Sequence, residues 1–175
     1  MLQQSIEEAL NQQVAKEAHA SFSYLSMAVW CDGEGLEGCA KFFYRQSDEE
    51  RMHMLKLIHY ISEMDGKPII PPIEDTPKVY ASIETIFEST LVQEKSVTQS
   101  IHQMIKLAIQ AHDYATENFL QWYVTEQREE ETLIRKILDK IKLIGTGPQS
   151  LFYIDKEVAR INTSIQNTTA TSPEA

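Results

Sequence analysis

The stretch from Ala81 to Ile144 contains neither glycine nor proline. These two residues are the strongest helix breakers, and the stretch shows no alternation typical of strands, so it is predicted to be helical. A single helix of that length would be too long for a globular domain, and a break is expected near Asp113, whose side chain can cap a new helix. The stretch therefore predicts two helices, over about 81–110 and 113–144.

The glycines and prolines elsewhere mark the ends of the other helices. All six glycines fall in "CDGEGLEG", "MDGKP" and "IGTGP", where they are expected to end helices and form turns. Four of the six prolines lie in "GKPIIPPIEDTPKVY", which predicts an extended connection. Three further helices are predicted over about 5–32, 38–65 and 149–162, and residues 163–175 are predicted to be a disordered tail.

The predicted fold is all-α: a four-helix bundle with a short fifth helix, in one domain over residues 1–162. Short connections make the first and second helices one antiparallel hairpin, and the third and fourth helices another. The second connection has about 14 residues and spans roughly 46 Å when extended, whereas a helix of about 27 residues is roughly 40 Å long. It can therefore cross the full length of the bundle.

Charge and composition exclude several kinds of partner. With 26 acidic and 16 basic residues the net charge is −10, which argues against nucleic acid or an anionic membrane and favours cations. The chain has neither a signal-peptide pattern at its N-terminus nor an apolar window of about 18 residues, and a cytoplasmic location is expected. Cys31 and Cys39 have no CxxC or histidine companion, so they are expected to be reduced thiols and not a zinc site.

Each long predicted helix carries a stripe of residues at steps of three and four, the spacing that faces a bundle core. Near its middle every stripe is interrupted by polar residues, which are Glu17, then Glu50 and His53, then Glu94, and finally Gln127 and Glu130. The interval is the same in both hairpins, since 50 − 17 = 33 and 127 − 94 = 33. The two midpoints, 33.5 and 110.5, fall at the predicted turns, so all the interruptions are expected at one height in the bundle.

Ionised carboxylates at one height in a core repel each other and cost several kcal/mol each to desolvate, unless they are protonated or share cations. Helical bundles bind two irons or manganeses with one Glu from each of two helices and one Glu-x-x-His from each of the other two. The residues that match this pattern are Glu17, Glu94, and the pair Glu50 and His53. The fourth helix departs from it, with Gln127 and Glu130. A lone Glu-x-x-His or acidic run is usually a solvated helix face, but this joint placement favours a dinuclear iron or manganese site, for which zinc can compete.

These residues, in this order and spacing, resemble those of the bacterial non-haem ferritins. The resemblance extends over all five predicted helices and includes "DEERMHM", "FLQWYVTEQREEE" and "LFYIDKE". It implies a hollow shell of twenty-four subunits that oxidises Fe(II) with O₂ or H₂O₂ and stores Fe(III) as a mineral. Haem is not expected, because Arg51 follows Glu50 where bacterioferritin has its haem-ligating methionine. Rubrerythrin would carry an additional CxxC iron domain, which is absent from the sequence.

The resemblance also implies roles for individual residues. The first iron would be held by Glu17, Glu50 and His53. The second would be held by Glu50, Glu94 and Glu130, with Gln127 close enough to orient the iron or its bound oxygen species. A third iron position would use Glu49, Glu126, Glu129 and Glu130. Tyr24, seven residues after Glu17 and on the same face, would hydrogen-bond a ligand and donate an electron.

Two other hypotheses remain open from the sequence. The chain could be a dimeric di-metal redox enzyme that keeps its irons, or a non-catalytic bundle that binds partners through its surface. The neutral amide of Gln127 argues against the first, because it should weaken the second iron site and let iron move on to a mineral. The acidic residues on the core stripes argue against the second.

Overall fold

The computed structural model describes residues 2–147 and 149–169. In this part of the chain there are five helices and no strand: α1 (Gln4–Gly33), α2 (Glu37–Glu63), α3 (Ile83–Gln110), α4 (Tyr114–Ile144) and α5 (Ser150–Thr169). The predicted all-α fold is confirmed, and the first four helices begin and end within two residues of the predicted positions. None of the described helices is long and apolar enough to cross a membrane.

The break between α3 and α4 lies where the sequence predicted it. Asp113 is the N-cap of α4, because its Oδ1 accepts a hydrogen bond from the backbone N–H of Thr116 at 3.0 Å. The preceding residue, His112, has a left-handed φ of 55°, which turns the chain between the two helices. The cap and the turn together make α3 and α4 an antiparallel hairpin.

The connection between α2 and α3 runs along α1. The backbone N–H of Ile69 donates to Asn11 Oδ1 at 2.7 Å, near the start of α1. Near its end, Ser26 Oγ donates to the backbone oxygen of Pro77. Eight extended residues reach roughly 26 Å, and the fifteen helical residues from Asn11 to Ser26 rise roughly 22 Å. The connection therefore crosses from one end of the bundle to the other, as predicted.

The apolar core consists of two clusters, one on each side of a polar layer. The first cluster lies toward α5 and includes Tyr24, Phe42, Phe43, Phe87, Ile134, Ile154 and Ile161, together with the free thiols Cys31 and Cys39. The second cluster includes Leu10, Val14, Leu57, Ile61, Val97, Ile101, Leu120 and Tyr123. Both contain residues of α1 to α4, so the helices are held together above and below the layer between them.

Helix α5 continues seven residues beyond its predicted end at 162. Ile161 and Asn162 are buried, and Ile165, one turn further on, packs against the first core cluster. The disorder predicted for residues 163–169 is thus not what the structure shows, because the apolar spacing of Ile161 and Ile165 extends the buried face of the helix. The disorder predicted for residues 170–175 concerns residues outside the described part of the chain.

The close contact between α2 and α5 predicts that alanine substitution has very different effects on stability at Gly38 and at Gly33. A Cβ atom at Gly38 would lie 2.3 Å from the backbone oxygen of Asp155 and 2.9 Å from Ala159 Cβ, so Gly38→Ala must push the helices apart. Overpacking of this kind costs about 1–3 kcal/mol. We expect a clear fall in the thermal unfolding midpoint of this variant.

Gly33→Ala is the matched control, because a Cβ at Gly33 meets no atom within 4 Å. Its midpoint should stay the same or rise slightly, since alanine favours helix more than glycine does. Equal losses in the two variants would contradict the close α2–α5 contact.

Candidate metal centre

The layer between the two core clusters holds the polar residues that the sequence placed at mid-height. All six are nearly inaccessible to solvent: Glu17 1%, Glu50 2%, His53 4%, Glu94 1%, Gln127 3% and Glu130 6% exposed. They come from α1, α2, α3 and α4, and each occupies the inward stripe of its helix. The bundle geometry thus gathers four carboxyl groups, an imidazole and an amide in one buried layer.

The residues predicted for the first iron lie within reach of a single cation. One ligand atom from each of Glu17, Glu50 and His53 lies within 4.8 Å of the other two. Glu50 and His53 are one turn apart on α2, and His53 Nδ1 is 3.3 Å from Glu50 Oε2. Two carboxylates and an imidazole form a ligand set that suits iron, manganese or zinc.

The environment of Glu17 shows that a cation fits this set. Gln13 Nε2 donates to Glu17 Oε1 at 2.8 Å, whereas Glu17 Oε2 is buried and has no hydrogen-bond partner in the described part of the chain. A buried oxygen without a partner is costly, and the cost is larger for a charged group. A cation between Glu17, Glu50 and His53 would satisfy it.

The residues predicted for the second iron are held differently. The hydroxyl of Tyr24 donates to Glu94 Oε1, and Gln127 Nε2 donates to Glu94 Oε2 at 3.0 Å. Gln46 Nε2 donates to Glu130 Oε2, also at 3.0 Å. Both oxygens of Glu94 and one oxygen of Glu130 therefore accept hydrogen bonds from protein groups.

Because of these hydrogen bonds, the carboxyl groups of the second set do not converge on one point as the ligands of the first set do. Among the described residues, the group that reaches metal-ligand spacing is Glu17, Glu50 and His53, and Glu94 and Glu130 do not join it. A second cation would have to share the oxygens of Glu94 with Tyr24 and Gln127. The structure thus brings the ligands of the first predicted iron together. The ligands predicted for the second iron lie nearby but are not at metal-ligand spacing from one another.

Burial shifts the protonation of the whole layer. It is the main cause of the raised pKa values of the Glu17, Glu50 and Glu94 carboxyl groups. Repulsion from Glu50 raises the pKa of Glu17 further, and repulsion from Glu94 does the same for Glu50. Burial, followed by the nearby Glu94, raises the pKa of Glu130 to about 8. Cation binding would therefore displace protons from these groups.

The residues predicted for a third iron lie between this layer and the surface. Glu49 and Glu126 are half-buried and Glu129 is exposed. Together with buried Glu130, they line a surface pocket of about 410 Å³ between α2 and α4. Glu130 is thus shared between the buried layer and the pocket.

The sequence predicted the metal ligands but not the residues that hydrogen-bond to them. Gln13 bonds Glu17 four residues away, and Gln46 occupies the inward stripe of α2 four residues before Glu50. Arg45 donates to Glu49, again at a spacing of four. The signal available in the sequence was this i, i+4 spacing from a predicted ligand.

Several known proteins are similar to this chain over most of its length. The family described as Ferritin-like domain matches residues 7–144. A probable bacterial non-heme ferritin-like protein of Haemophilus influenzae is 39% identical over 163 residues, which are 93% of this chain and 99% of that protein. A bacterial non-heme ferritin of Escherichia coli is 38% identical with the same coverage. The open pore ferritin of the archaeon Archaeoglobus fulgidus superposes with a TM-score of 0.87 at 38% identity, over 90% of this chain and 96% of that one.

The stability of the metal-free protein should fall as pH rises. Between 4.5, the ordinary pKa of a glutamate, and about 8, the folded chain keeps a proton on Glu130 that the unfolded chain has lost. Each pH unit in this window lowers the free energy of unfolding by about 1.4 kcal/mol for that carboxyl alone. Thermal unfolding of the chelator-treated protein should therefore show a midpoint that decreases from about pH 5 to pH 8.

Glu130→Gln should flatten this dependence, because the variant has no proton to lose at that position. Glu8→Gln, which changes an exposed glutamate of α1, should leave it as in the unaltered protein. A midpoint that is constant or rises over the same range would contradict the raised pKa of the buried acids.

Proposed function

Since this chain belongs to the ferritin-like family, we propose that it is an iron-storage protein with ferroxidase activity. It would oxidise Fe(II) to Fe(III) with O₂ or H₂O₂ in the buried layer, and store the product as a mineral inside a hollow shell of twenty-four subunits. The observation that carries this proposal is the convergence of Glu17, Glu50 and His53 on one position in the core. Iron is the substrate of this site and its cargo.

The first Fe(II) would bind where Glu17, Glu50 and His53 meet. Two glutamates bring two negative charges, which balance the charge of the ion once their protons have been displaced. The imidazole of His53 supplies a neutral nitrogen ligand. The backbone oxygen of His53 accepts a hydrogen bond from the hydroxyl of Tyr123 at 2.8 Å, which contributes to holding this part of α2 in place.

The second Fe(II) would be held by Glu50, Glu94 and Glu130, and more weakly than the first. Its ligands Glu94 and Glu130 already accept hydrogen bonds from protein groups, which compete with the ion for the carboxylate oxygens. Gln127, where the usual pattern has a carboxylate, adds no charge to the site. An iron held in this way can leave after oxidation, as storage requires.

Two Fe(II) ions supply two electrons, which balances the reduction of O₂ to H₂O₂ or of H₂O₂ to water. Tyr24 is placed to take part, because its hydroxyl donates to Glu94 and its side chain is fully buried. Burial and the neighbouring Glu94 raise the pKa of the Tyr24 phenol, so the hydroxyl keeps its proton for this hydrogen bond. We propose that Tyr24 hydrogen-bonds a ligand of the second iron and can donate an electron.

The third position would receive iron on its way out of the layer. Glu130 is common to the second and third ligand sets, and the pocket that it shares with Glu49, Glu126 and Glu129 opens at the surface between α2 and α4. A carboxylate that serves both positions allows iron to move from one to the other without losing all of its ligands. No haem is part of this proposal.

The shell of identical subunits and the cytoplasmic location also belong to the proposal. The family relationship supports the shell, and the net charge of −10 suits a protein whose cargo is a cation. Size-exclusion chromatography with light scattering should give a particle of about twenty-four chains. A compact dimer would contradict the storage function and favour a di-metal enzyme that keeps its irons.

The ferroxidase reaction should depend on the first iron set. His53→Ala and Glu50→Ala each remove a ligand, and we expect the initial rate of aerobic Fe(II) oxidation to fall by about tenfold or more, the loss typical of removing a group that stabilises a reaction step. The rate is followed by the absorbance of the Fe(III) product. Chromatography of the same samples checks that the shell still assembles.

His102→Ala is the control for loss of a histidine, because His102 is exposed on α3 and lies about two helical turns beyond Glu94. Its rate should equal that of the unaltered protein. Unchanged rates in assembled His53→Ala and Glu50→Ala would show that the buried layer does not oxidise iron.

A further inference from the structure

Arg45 of α2 reaches into the acidic pocket and makes several contacts there. Its Nη1 donates to Glu49 Oε1, and its Nη2 donates to Gln46 Oε1 at 2.8 Å. Its Nε donates to Asn162 Oδ1 of α5 at 2.6 Å. Only 13% of the Arg45 side chain is exposed, so this guanidinium is held within the protein.

The contact with Gln46 connects Arg45 to the buried layer. A guanidinium has only hydrogen-bond donors, so the Gln46 atom that faces it must be the carbonyl oxygen. The amide nitrogen of Gln46 is then directed at Glu130 Oε2, 3.0 Å away. Arg45 therefore contacts one predicted ligand of the third position directly and orients the group that holds another.

The surroundings keep the guanidinium in this place. Asn162, its partner on α5, is 6% exposed, and the ring centroid of Phe42 lies 5.5 Å from Arg45 Cζ. Arg128 lines the same pocket but differs in kind: its side chain is 75% exposed, and it comes only within 3.8 Å of Glu129. Arg45 is thus a fixed, largely buried positive charge of the pocket, whereas Arg128 is an exposed positive charge at its edge.

We propose that Arg45 competes with iron for Glu49 and so limits how tightly the third position holds its ion. Glu49 Oε1 already accepts a hydrogen bond from Arg45, while Glu49 Oε2 has no hydrogen-bond partner in the described part of the chain. An incoming Fe(II) would therefore share the carboxylate with Arg45, whose fixed positive charge repels the ion at short range. Iron would then pass through the pocket without being retained. This inference rests on the proposed function, because it concerns one iron position of that site.

Anaerobic titration of the metal-free, assembled protein with Fe(II), followed by calorimetry, tests the competition directly. Arg45→Met removes the charge and keeps a long side chain, and we expect the third equivalent of Fe(II) to bind roughly fivefold tighter, the factor expected from losing one partly buried ion pair. The first equivalent should bind as before, because the hydrogen bonds of Arg45 described above go to Gln46, Glu49 and Asn162 and not to Glu17, Glu50 or His53. Arg45→Lys, which keeps the charge, should stay close to the unaltered protein.

Arg128→Met is the matched control, because it removes the same charge from the rim of the same pocket without touching Glu49. It should change the third affinity by less than about twofold, since exposed charges interact weakly. In a Glu49→Gln background, Arg45→Met should tighten the third equivalent clearly less, because only the repulsion between the guanidinium and the ion remains to be removed. Arg45→Gln provides a second neutral variant if Arg45→Met does not assemble.

Two results would overturn the inference: an unchanged third affinity in both neutral Arg45 variants, or equal tightening in Arg128→Met. The first would show no competition, and the second a general effect of charge. Failure of the proposed function would look different from failure of this inference, because the unaltered protein would then not bind the first two equivalents of Fe(II). A third equivalent that appears only when Arg45 is neutralised would support the competition in its strongest form.

Discussion

Burial of four carboxyl groups at one height is the constraint on which the rest of this structure depends. Glu17, Glu50, Glu94 and Glu130 lie between two apolar clusters, where ionised acids repel and lack water. The two clusters pack α1 to α4 together on both sides of the layer and keep the acids away from solvent. The conflict is then resolved by raised pKa values in the absence of metal, and by cations when they are present.

The two halves of the layer resolve this conflict by different means. Glu17 keeps an unpartnered oxygen next to Glu50 and His53, which leaves the first position ready for an ion. In the second half, hydrogen bonds from Tyr24, Gln46 and Gln127 satisfy the carboxylates. In the surface pocket a protein group again binds a predicted ligand, because the guanidinium of Arg45 donates a hydrogen bond to Glu49 Oε1. We propose that ion affinity decreases from the first position outward, which would favour passage of iron toward a store.

The fold and the level of the site could be predicted from the sequence because they depend on periodicity. Stripes at helical spacing and a repeated interval of 33 residues place Glu17, Glu50, Glu94 and Gln127 at one height, whichever rotamers they adopt. The contact between Arg45 and Asn162 could not be predicted in this way, since it depends on where α5 packs against α2. The spacing of the second set of ligands could not be predicted either, because it results from hydrogen bonds between side chains of different helices. The sequence did not predict the end of α5, because the continuation of the helix depends on the packing of one partly buried residue, Ile165.

Anomalous diffraction from crystals soaked with Fe(II) without oxygen would locate the bound ions. We expect two iron peaks per subunit inside the bundle: a strong one between Glu17, Glu50 and His53, and a weaker one between Glu50, Glu94 and Glu130. Iron found only at exposed carboxylates such as Glu129, with none in the buried layer, would contradict this expectation.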